Sequence, residues 1–306
     1  MRVQGDGKVM TMAKAELVLN AKAEIGECPL WSVKEQCLYW IDVHGRSFHR
    51  FDPSTAEDNS WALPATPGSF VLREGGGIVF ALSDGFYDFD PTMGTLAPLA
   101  KAPYEPSKVR FNDGRTDRQG RYWVGTVPID PLGDEDGALR AYYSFDGRSV
   151  QERIAPIDQA NGTAFSPNGR TMYRSEWRSK TILAYDLDPD SGDVTGERVF
   201  VRVPDELGGP DGAAVDSEGG YWAALPNGPQ GGSVARFTAN GKIDLVIEVP
   251  VLIPTMPAFG GPDMSTLYIT SARVEPMLGK PISPISGGLF ALETSFRGIA
   301  ETEFRT

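Results

Sequence analysis

Three polar side chains with hard oxygen donors occupy similar positions in separate segments of the sequence. Glu27 lies in IGECPLW, Asn161 in QANGTAFSPNG and Asp211 in GGPDGAAVDSEG, each just upstream of a β-type run that carries an aromatic residue. Two carboxylates and one amide oxygen suit Ca²⁺, Mg²⁺ or Mn²⁺, with water completing the coordination shell. The three residues are therefore candidate ligands of a divalent cation.

Each of these residues also has a simpler interpretation when it is taken alone. Asn161 and Asp211 both precede a glycine, and NG and DG dipeptides are typical of turns. Glu27 stands before Cys-Pro and could be an exposed loop residue. Only the matching positions of the three residues in separate repeats favour a common site.

A weak internal repeat predicts how these residues would be positioned. Each repeat has a turn with Gly, Asn or Asp, a short β-type run with an aromatic residue, and a second run that ends in an Asp-rich turn. The aromatic anchors recur at intervals of roughly 40 to 50 residues, the length of one propeller blade. They are Trp40, Phe80, Trp123, Tyr173, Trp222 and Tyr268.

Six anchors predict an all-β fold, a six-bladed β-propeller. A β-sandwich or a jelly roll would also show short strands and frequent turns, but neither has a reason to repeat at blade length. A propeller brings the inner strands of all blades to one axis, so distant residues converge at its central channel. We expect residues 1–14 to form a flexible tail and residues 15–306 to form a single propeller domain.

A second polar group, Arg110, Asn112 and Asp113, lies in the segment VRFNDGRTD. The guanidinium of Arg110 can donate several hydrogen bonds, and the amide of Asn112 can both donate and accept, as a polyhydroxylated substrate requires. Asp113 could support the site or form a turn. The alternative for the whole group is a structural cluster inside the third blade.

Composition excludes several classes of partner. The net charge of −12 argues against nucleic acid, which requires clustered Lys and Arg, and it disfavours anionic membranes. Two cysteines, Cys28 and Cys37, are too few for a disulfide framework and indicate free thiols. With no apolar segment that resembles a signal peptide, we expect a cytoplasmic protein, either a monomer or a small homo-oligomer.

Other catalytic arrangements have little support in the sequence. The two histidines, His44 and His49, are five residues apart in one blade, on or beside an exposed outer strand, which leaves little material for a Ser-His-Asp triad. No GxSxG elbow or phosphate-binding GxxxxGK[ST] loop occurs.

The sequence resembles the family of senescence marker protein 30, or regucalcin, which includes the gluconolactonases. The resemblance covers about Glu24 to Leu292 and rests on seven ordered motifs. These are GECPLW, GSFVLREGGG, RFNDGRTDRQGRYWVGT, ANGTAFSPNGRTMY, PDGAAVDSEGGYW, FGGPDMSTLYITSAR and GGLFAL.

The resemblance implies hydrolysis of a sugar lactone to the aldonic acid by an enzyme with one divalent cation. It implies that Glu27, Asn161 and Asp211 bind the cation, that Asp211 is also the general base, and that Arg110 and Asn112 contact the substrate. Calcium is the first expectation, with manganese, zinc or magnesium as alternatives.

The chain departs from the family pattern at several positions that could alter substrate choice. Where some relatives have a substrate-contacting Glu, this chain has Asp130, which is one methylene shorter. The fourth repeat has Glu176 where Asp is usual, and PNGPQGGS after Trp222 is long and glycine-rich. Two alternatives stay open: a propeller hydrolase for phosphotriesters or hydrophobic lactones, and a calcium-binding propeller without turnover.

Overall fold

The structure, a computed structural model, describes residues 11–12, 14–129 and 140–305. Six sheets, each built on four antiparallel strands, follow one another along the chain, and the inner strands of neighbouring sheets are in contact all the way round the ring. Each sheet is one blade, and its strands run from the inside of the ring to the outside. The predicted six-bladed propeller is confirmed.

The strands have the following bounds. Two strands precede the first blade, β1 (Thr11–Met12) and β2 (Glu16–Leu19). The first blade contains β3 (Gly26–Ser32), β4 (Cys37–Asp42), β5 (Ser47–Asp52) and β6 (Glu57–Ala62). The second contains β7 (Pro67–Leu72), β8 (Ile78–Leu82), β9 (Gly85–Asp90) and β10 (Thr95–Lys101). The third contains β11 (Val109–Thr116), β12 (Tyr122–Pro128), β13 (Tyr142–Phe145) and β14 (Val150–Ile154).

The second half of the ring continues in the same way. The fourth blade contains β15 (Asn161–Phe165), β16 (Thr171–Glu176), β17 (Thr181–Leu187) and β18 (Val194–Arg202). The fifth contains β19 (Ala213–Val215), β20 (Tyr221–Gly228), β21 (Gly231–Phe237) and β22 (Ile243–Val249). The sixth contains β23 (Pro254–Gly260), β24 (Thr266–Ser271) and β25 (Leu289–Glu293), and short 3-10 turns lie at Asp205–Leu207 and Glu275–Leu278.

Both ends of the described chain help to close the ring. Strand β2 pairs antiparallel with β25, so an N-terminal strand forms the outer edge of the last blade. Strand β1 pairs in parallel with β22 of the fifth blade. The division into a tail at 1–14 and a propeller from 15 stays a prediction, with Thr11–Met12 of that tail paired as described.

The C-terminal segment runs across several blades. Gly298 forms a bridge with Asp216 of the fifth blade, and the Phe304 amide donates to the carbonyl of Leu72 at 2.7 Å in the second. The side chain of Phe304 is fully buried and stacks on Phe145 of the third blade, with ring centroids 5.6 Å apart. This segment therefore connects blades that are not neighbours in sequence.

The aromatic anchors of the repeat lie on the second strand of each blade, and all six are buried. The carboxylate of Asp117 accepts a hydrogen bond from Nε1 of Trp123 at 2.8 Å, and Asp216 accepts one from Trp222 at 2.7 Å. Both aspartates also accept backbone N–H groups of the turn that follows them. These bonds join the turn of the blade to its buried anchor.

The inner strands are interrupted where they approach the channel. The pairing register shifts between Glu27 and Leu30 in β3, in β11 between 111 and 114, and in β15 between 161 and 164. A β-bulge turns a side chain away from the regular alternation of a strand and is common beside functional sites. Glu27, Asn112 and Asn161 lie at these shifts, whereas Arg110 lies in the regular part of β11.

Candidate active site

Five of the six predicted site residues line one cavity of about 330 Å³, bounded by inner-strand segments of five blades. Thr255 of the sixth blade also lines it. Asp130 lies outside the described residues, so its contact with substrate stays a prediction. The five lining residues are Glu27, Arg110, Asn112, Asn161 and Asp211.

Glu27 lies inside β3 rather than in an exposed loop, and only 8% of its surface is exposed. The next residue, Cys28, has a φ of 50°, a left-handed conformation that is uncommon outside glycine. The N–H of Cys28 donates to Oε2 of Glu27 at 3.1 Å. The bulge thus holds the carboxylate at the cavity while the neighbouring strand residues remain in the core.

A chain of hydrogen bonds connects the third and fourth blades at the cavity. Arg110 donates from one guanidinium nitrogen to Oδ1 of Asn112 at 3.0 Å. Asn112 donates from Nδ2 to Oδ1 of Asn161 at 2.7 Å and to the carbonyl of Ala160 at 2.8 Å. Asn112 was predicted from sequence as a substrate contact, and in the structure it also orients the amide of a candidate ligand.

Asp211 lies just before β19, where its N–H donates to the carbonyl of Ala224 at 2.9 Å. Its own carbonyl accepts a hydrogen bond from the hydroxyl of Ser175 at 2.8 Å, which links it to the fourth blade. Asn161 begins β15 and pairs with Ser175. The NG and DG dipeptides are therefore part of the inner-strand framework rather than hairpin turns.

Gly162 is required by the space around it. Its φ is 61°, and a β-carbon there would lie 2.3 Å from the hydroxyl oxygen of Tyr221 and 2.5 Å from Oγ of Ser175. The hydroxyl of Tyr221 donates to the carbonyl of Gly162 at 2.7 Å, and the N–H of Gly162 donates to Asp113 at 2.8 Å. The absent side chain lets the fourth and fifth blades approach next to Asn161.

Three carboxyl groups share this poorly solvated region, and the pKa of each is raised. Burial is the largest cause of the raised pKa of Glu27, followed by the charges of Asp113 and Asp211. Burial and then the charge of Asp113 raise the pKa of Asp211. Burial also raises the pKa of Asp113, opposed by the Gly162 N–H and by Arg115. Burial lowers the pKa of the neighbouring Arg110.

This donor set fits a divalent cation. Repulsion between buried carboxylates disfavours their ionised forms, and a dication between Glu27 and Asp211 would offset that repulsion. The amide oxygen of Asn161 would be the third protein ligand. Within the described part of the chain, no three His, Cys, Asp or Glu side chains are grouped to hold a metal ion. The candidate set is instead two carboxylates and one amide.

A buried ion pair lies next to the site. Arg115 pairs with Glu301 of the C-terminal segment and donates to the carbonyls of Thr163 at 3.2 Å and Ala213 at 2.9 Å. It therefore connects the third, fourth and fifth blades. Asp113, for which a turn and a supporting role were both open, is buried and supports the backbone at Gly162.

Eleven other residues line the cavity, and among them Gln159, Trp177 and Thr255 were not identified from the sequence. Trp177 stands next to Glu176, where the sequence departs from the family pattern, and that departure was the available signal. Trp31, four residues after Glu27, is buried and stacks on Tyr268 with ring centroids 5.6 Å apart.

The first blade contains a Ser-His-Asp arrangement that the histidine count did not lead us to expect. Oγ of Ser47 lies 2.7 Å from Nε2 of His49, and Nδ1 of His49 lies 2.7 Å from Oδ2 of Asp58. Trp40 stacks on His49 and donates to Asp58 at 3.2 Å. These residues are not among those that line the cavity. We interpret them as the counterpart of the indole-to-carboxylate bonds in the third and fifth blades.

Comparison with known proteins identifies the family of the chain. The family model described as SMP-30/Gluconolactonase/LRE-like region matches residues 25–273. The chain belongs to this family. The family assignment made from the sequence motifs is thereby confirmed, and residues 25–273 include all five candidate site residues that the structure describes.

Similar members of the SMP-30/gluconolactonase family span nearly the whole chain. A 6-deoxy-6-sulfogluconolactonase of Pseudomonas putida is 38% identical over 94% of this chain and 97% of its own. A regucalcin of Xenopus laevis is 33% identical over 96% and 99%. The crystal structure of a calcium-binding protein, regucalcin, from Agrobacterium tumefaciens covers 98% of this chain and 100% of its own, with a TM-score of 0.87 and 28% identity.

Among the described residues, no helix has the length and apolar character needed to cross a membrane.

Proposed function

We propose that this family member is a lactonase that hydrolyses a sugar lactone to the aldonic acid with the help of one divalent cation. The main support is the convergence of Glu27, Asn161 and Asp211, from the first, fourth and fifth blades, on a single cavity. Family membership and the lactonase among the similar proteins support the reaction class.

Glu27, Asn161 and Asp211 would hold the cation, with calcium as the first choice because all three donors are oxygens. When bound, the cation would withdraw electron density from the lactone carbonyl and so favour attack by water. The regucalcin structure that resembles this chain is described as a calcium-binding protein, which supports the same choice.

Arg110 and Asn112 would bind the polar end of the substrate. Both line the cavity beside Asn161, and their mutual hydrogen bond fixes the orientation of both side chains. An arginine and an amide can together donate to and accept from the carbonyl and a neighbouring hydroxyl of a sugar lactone. This pairing favours sugar lactones over phosphotriesters, which carry no hydroxyl groups.

Asp211 would accept a proton from water through a carboxylate oxygen as the water oxygen attacks the carbonyl carbon. Breaking the ring C–O bond then gives the hydroxy acid, and the proton passes to the departing ring oxygen. One carboxylate oxygen is needed to bind the cation, and the other is available for the proton.

A pH-indicator screen of pentonolactones and hexonolactones tests the proposal, because opening a lactone releases an acid. Protein stripped of metal should be inactive, and calcium, manganese, zinc and magnesium should each be tried for reconstitution. The Asp211→Asn variant should bind substrate but turn over at least about 100-fold more slowly, the usual contribution of a general base. Nearly unchanged turnover with retained metal affinity would exclude this role for Asp211.

The screen also separates the competing functions. Faster turnover of an organophosphate or of fatty-acyl lactones than of any sugar lactone would favour the hydrolase for less polar substrates. Calcium binding without turnover of any of these compounds, under every metal condition, would favour a binding protein.

A further inference from the structure

The residues that line the cavity are of two kinds, and we call the polar set the base and the apolar set the wall. The base consists of the three candidate ligands together with Arg110, Asn112, Gln159 and Thr255. The wall is built from apolar side chains of five blades. Its members include Val43, Pro128, Trp177, Pro226 and Ile253.

Trp177 is the largest residue of this wall, and it is held in a defined place. It lies in the turn after β16 and is half-buried. A β-carbon at Gly209 would lie 3.1 Å from Cδ2 and 3.3 Å from Cε3 of the indole, so the ring packs against the backbone there. Gly209 is two residues before Asp211. The ring is therefore positioned by the same segment that carries the proposed general base.

Aliphatic side chains and the face of an indole ring cannot replace the water that hydrates a hydroxyl group. A hydroxyl buried against this wall would lose hydrogen bonds, whereas a methyl group or the C–H face of a sugar would gain favourable contact. The polar base can satisfy the lactone carbonyl and a neighbouring hydroxyl. The base and the wall together indicate a substrate that is polar at the ring carbonyl and poorly hydrated at its far end.

We infer, on the basis of the proposed lactonase function, that Trp177 determines substrate specificity and that the cavity selects sugar lactones with a poorly hydrated exocyclic group. A methyl group in place of the hydroxymethyl group of a hexonolactone is the simplest case. Trp177 contacts the far end of the substrate and takes no part in proton transfer.

The test compares three hexonolactones of the same configuration that differ only in the exocyclic group, which is a hydroxymethyl, a methyl or a sulfomethyl group. The wild-type protein should favour the methyl compound over the hydroxymethyl one by about tenfold in kcat/KM, mainly through KM. In Trp177→Ala the two values should come within about twofold.

Two more variants and a control make the comparison specific. Trp177→Phe should keep most of the preference, and Trp177→Gln should shift it towards the hydroxymethyl compound because the amide can bind the hydroxyl. Ser179→Ala changes an exposed residue of the same turn, whose hydroxyl bonds Glu176, and should leave the preference unchanged. Thermal melts identify any variant that does not fold.

Preference of the wild type for the hydroxymethyl or sulfomethyl compound, or the same methyl preference in Trp177→Ala, would overturn the inference. If no lactone is turned over, the proposed reaction is wrong. The inference about specificity is then tested separately, by calorimetric measurement of the binding of the three corresponding aldonic acids. Tighter binding of the methyl acid that depends on Trp177 supports the inference even then. Equal binding of all three acids by wild type and Trp177→Ala overturns it.

Discussion

The Asn112→Ala variant tests whether this residue positions a metal ligand or only contacts substrate. The change removes two donated hydrogen bonds, of 2.7 Å to Asn161 and 2.8 Å to the Ala160 carbonyl, and the acceptor of the Arg110 bond at 3.0 Å. The first of these bonds fixes the oxygen that we assign to the cation. Its loss should leave the amide of Asn161 free to rotate away.

Partners that orient metal ligands usually change metal affinity by about 10- to 100-fold when they are removed. Calcium affinity of Asn112→Ala, measured by isothermal titration calorimetry, should therefore weaken by about 1.4 to 2.7 kcal/mol. The lost bonds should also reduce the free energy of unfolding by about 1 to 3 kcal/mol, measured by urea denaturation.

The matched control is Asn59→Ala, which changes an exposed asparagine on β6 of the first blade. Its calcium affinity should equal that of the wild type. If Asn112→Ala binds calcium as tightly as the wild type while KM for the lactone rises, Asn112 contacts substrate alone. The positioning argument would then be refuted.

Two further predictions concern the framework of the site, and urea denaturation measures both. Gly162→Ala should lower the free energy of unfolding by about 2 to 4 kcal/mol, because it combines a left-handed φ with a clash against Tyr221. Gly279→Ala, with a φ of 68° but open space, should cost only about 1 kcal/mol, and equal losses would show that the clash is unimportant. Phe304→Ala should lower the free energy of unfolding by about 3 to 5 kcal/mol, because the ring is fully buried against Phe145. A loss below about 1 kcal/mol would show that the connection of the blades by the C-terminal segment contributes little to stability.

The blade count could be predicted because each blade repeats the same local pattern. Trp123 and Trp222 are each the second residue of the second strand in their blades, and Trp40 is the fourth residue of the corresponding strand, so the spacing of these anchors predicts the architecture. Glu27 and Asn161 could be identified from the sequence for a similar reason. Both are polar residues at inner-strand positions where a purely structural strand would have apolar residues.

Other contacts could not be predicted, because nothing in the local sequence specifies them. Arg115 and Glu301 are 186 residues apart and meet only when the C-terminal segment crosses the ring. Trp177 lies in a turn, which has no counterpart in the repeat pattern, and its place depends on the backbone of Gly209. The need for Gly162 likewise comes from a tyrosine of the next blade.

The closure of the ring by β2 has a consequence for synthesis of the protein. Most blades can assemble from neighbouring residues as the chain leaves the ribosome, but the sixth cannot. Its outer strand, β2, is synthesised early and has no partner until β25 (Leu289–Glu293) has emerged. Until then Glu16–Leu19 has no β25 to pair with, and β24 has an unpaired edge of the kind that recruits other chains. A nascent chain stalled before residue 289 should therefore be a partial ring that binds chaperones and aggregates more readily than the finished protein.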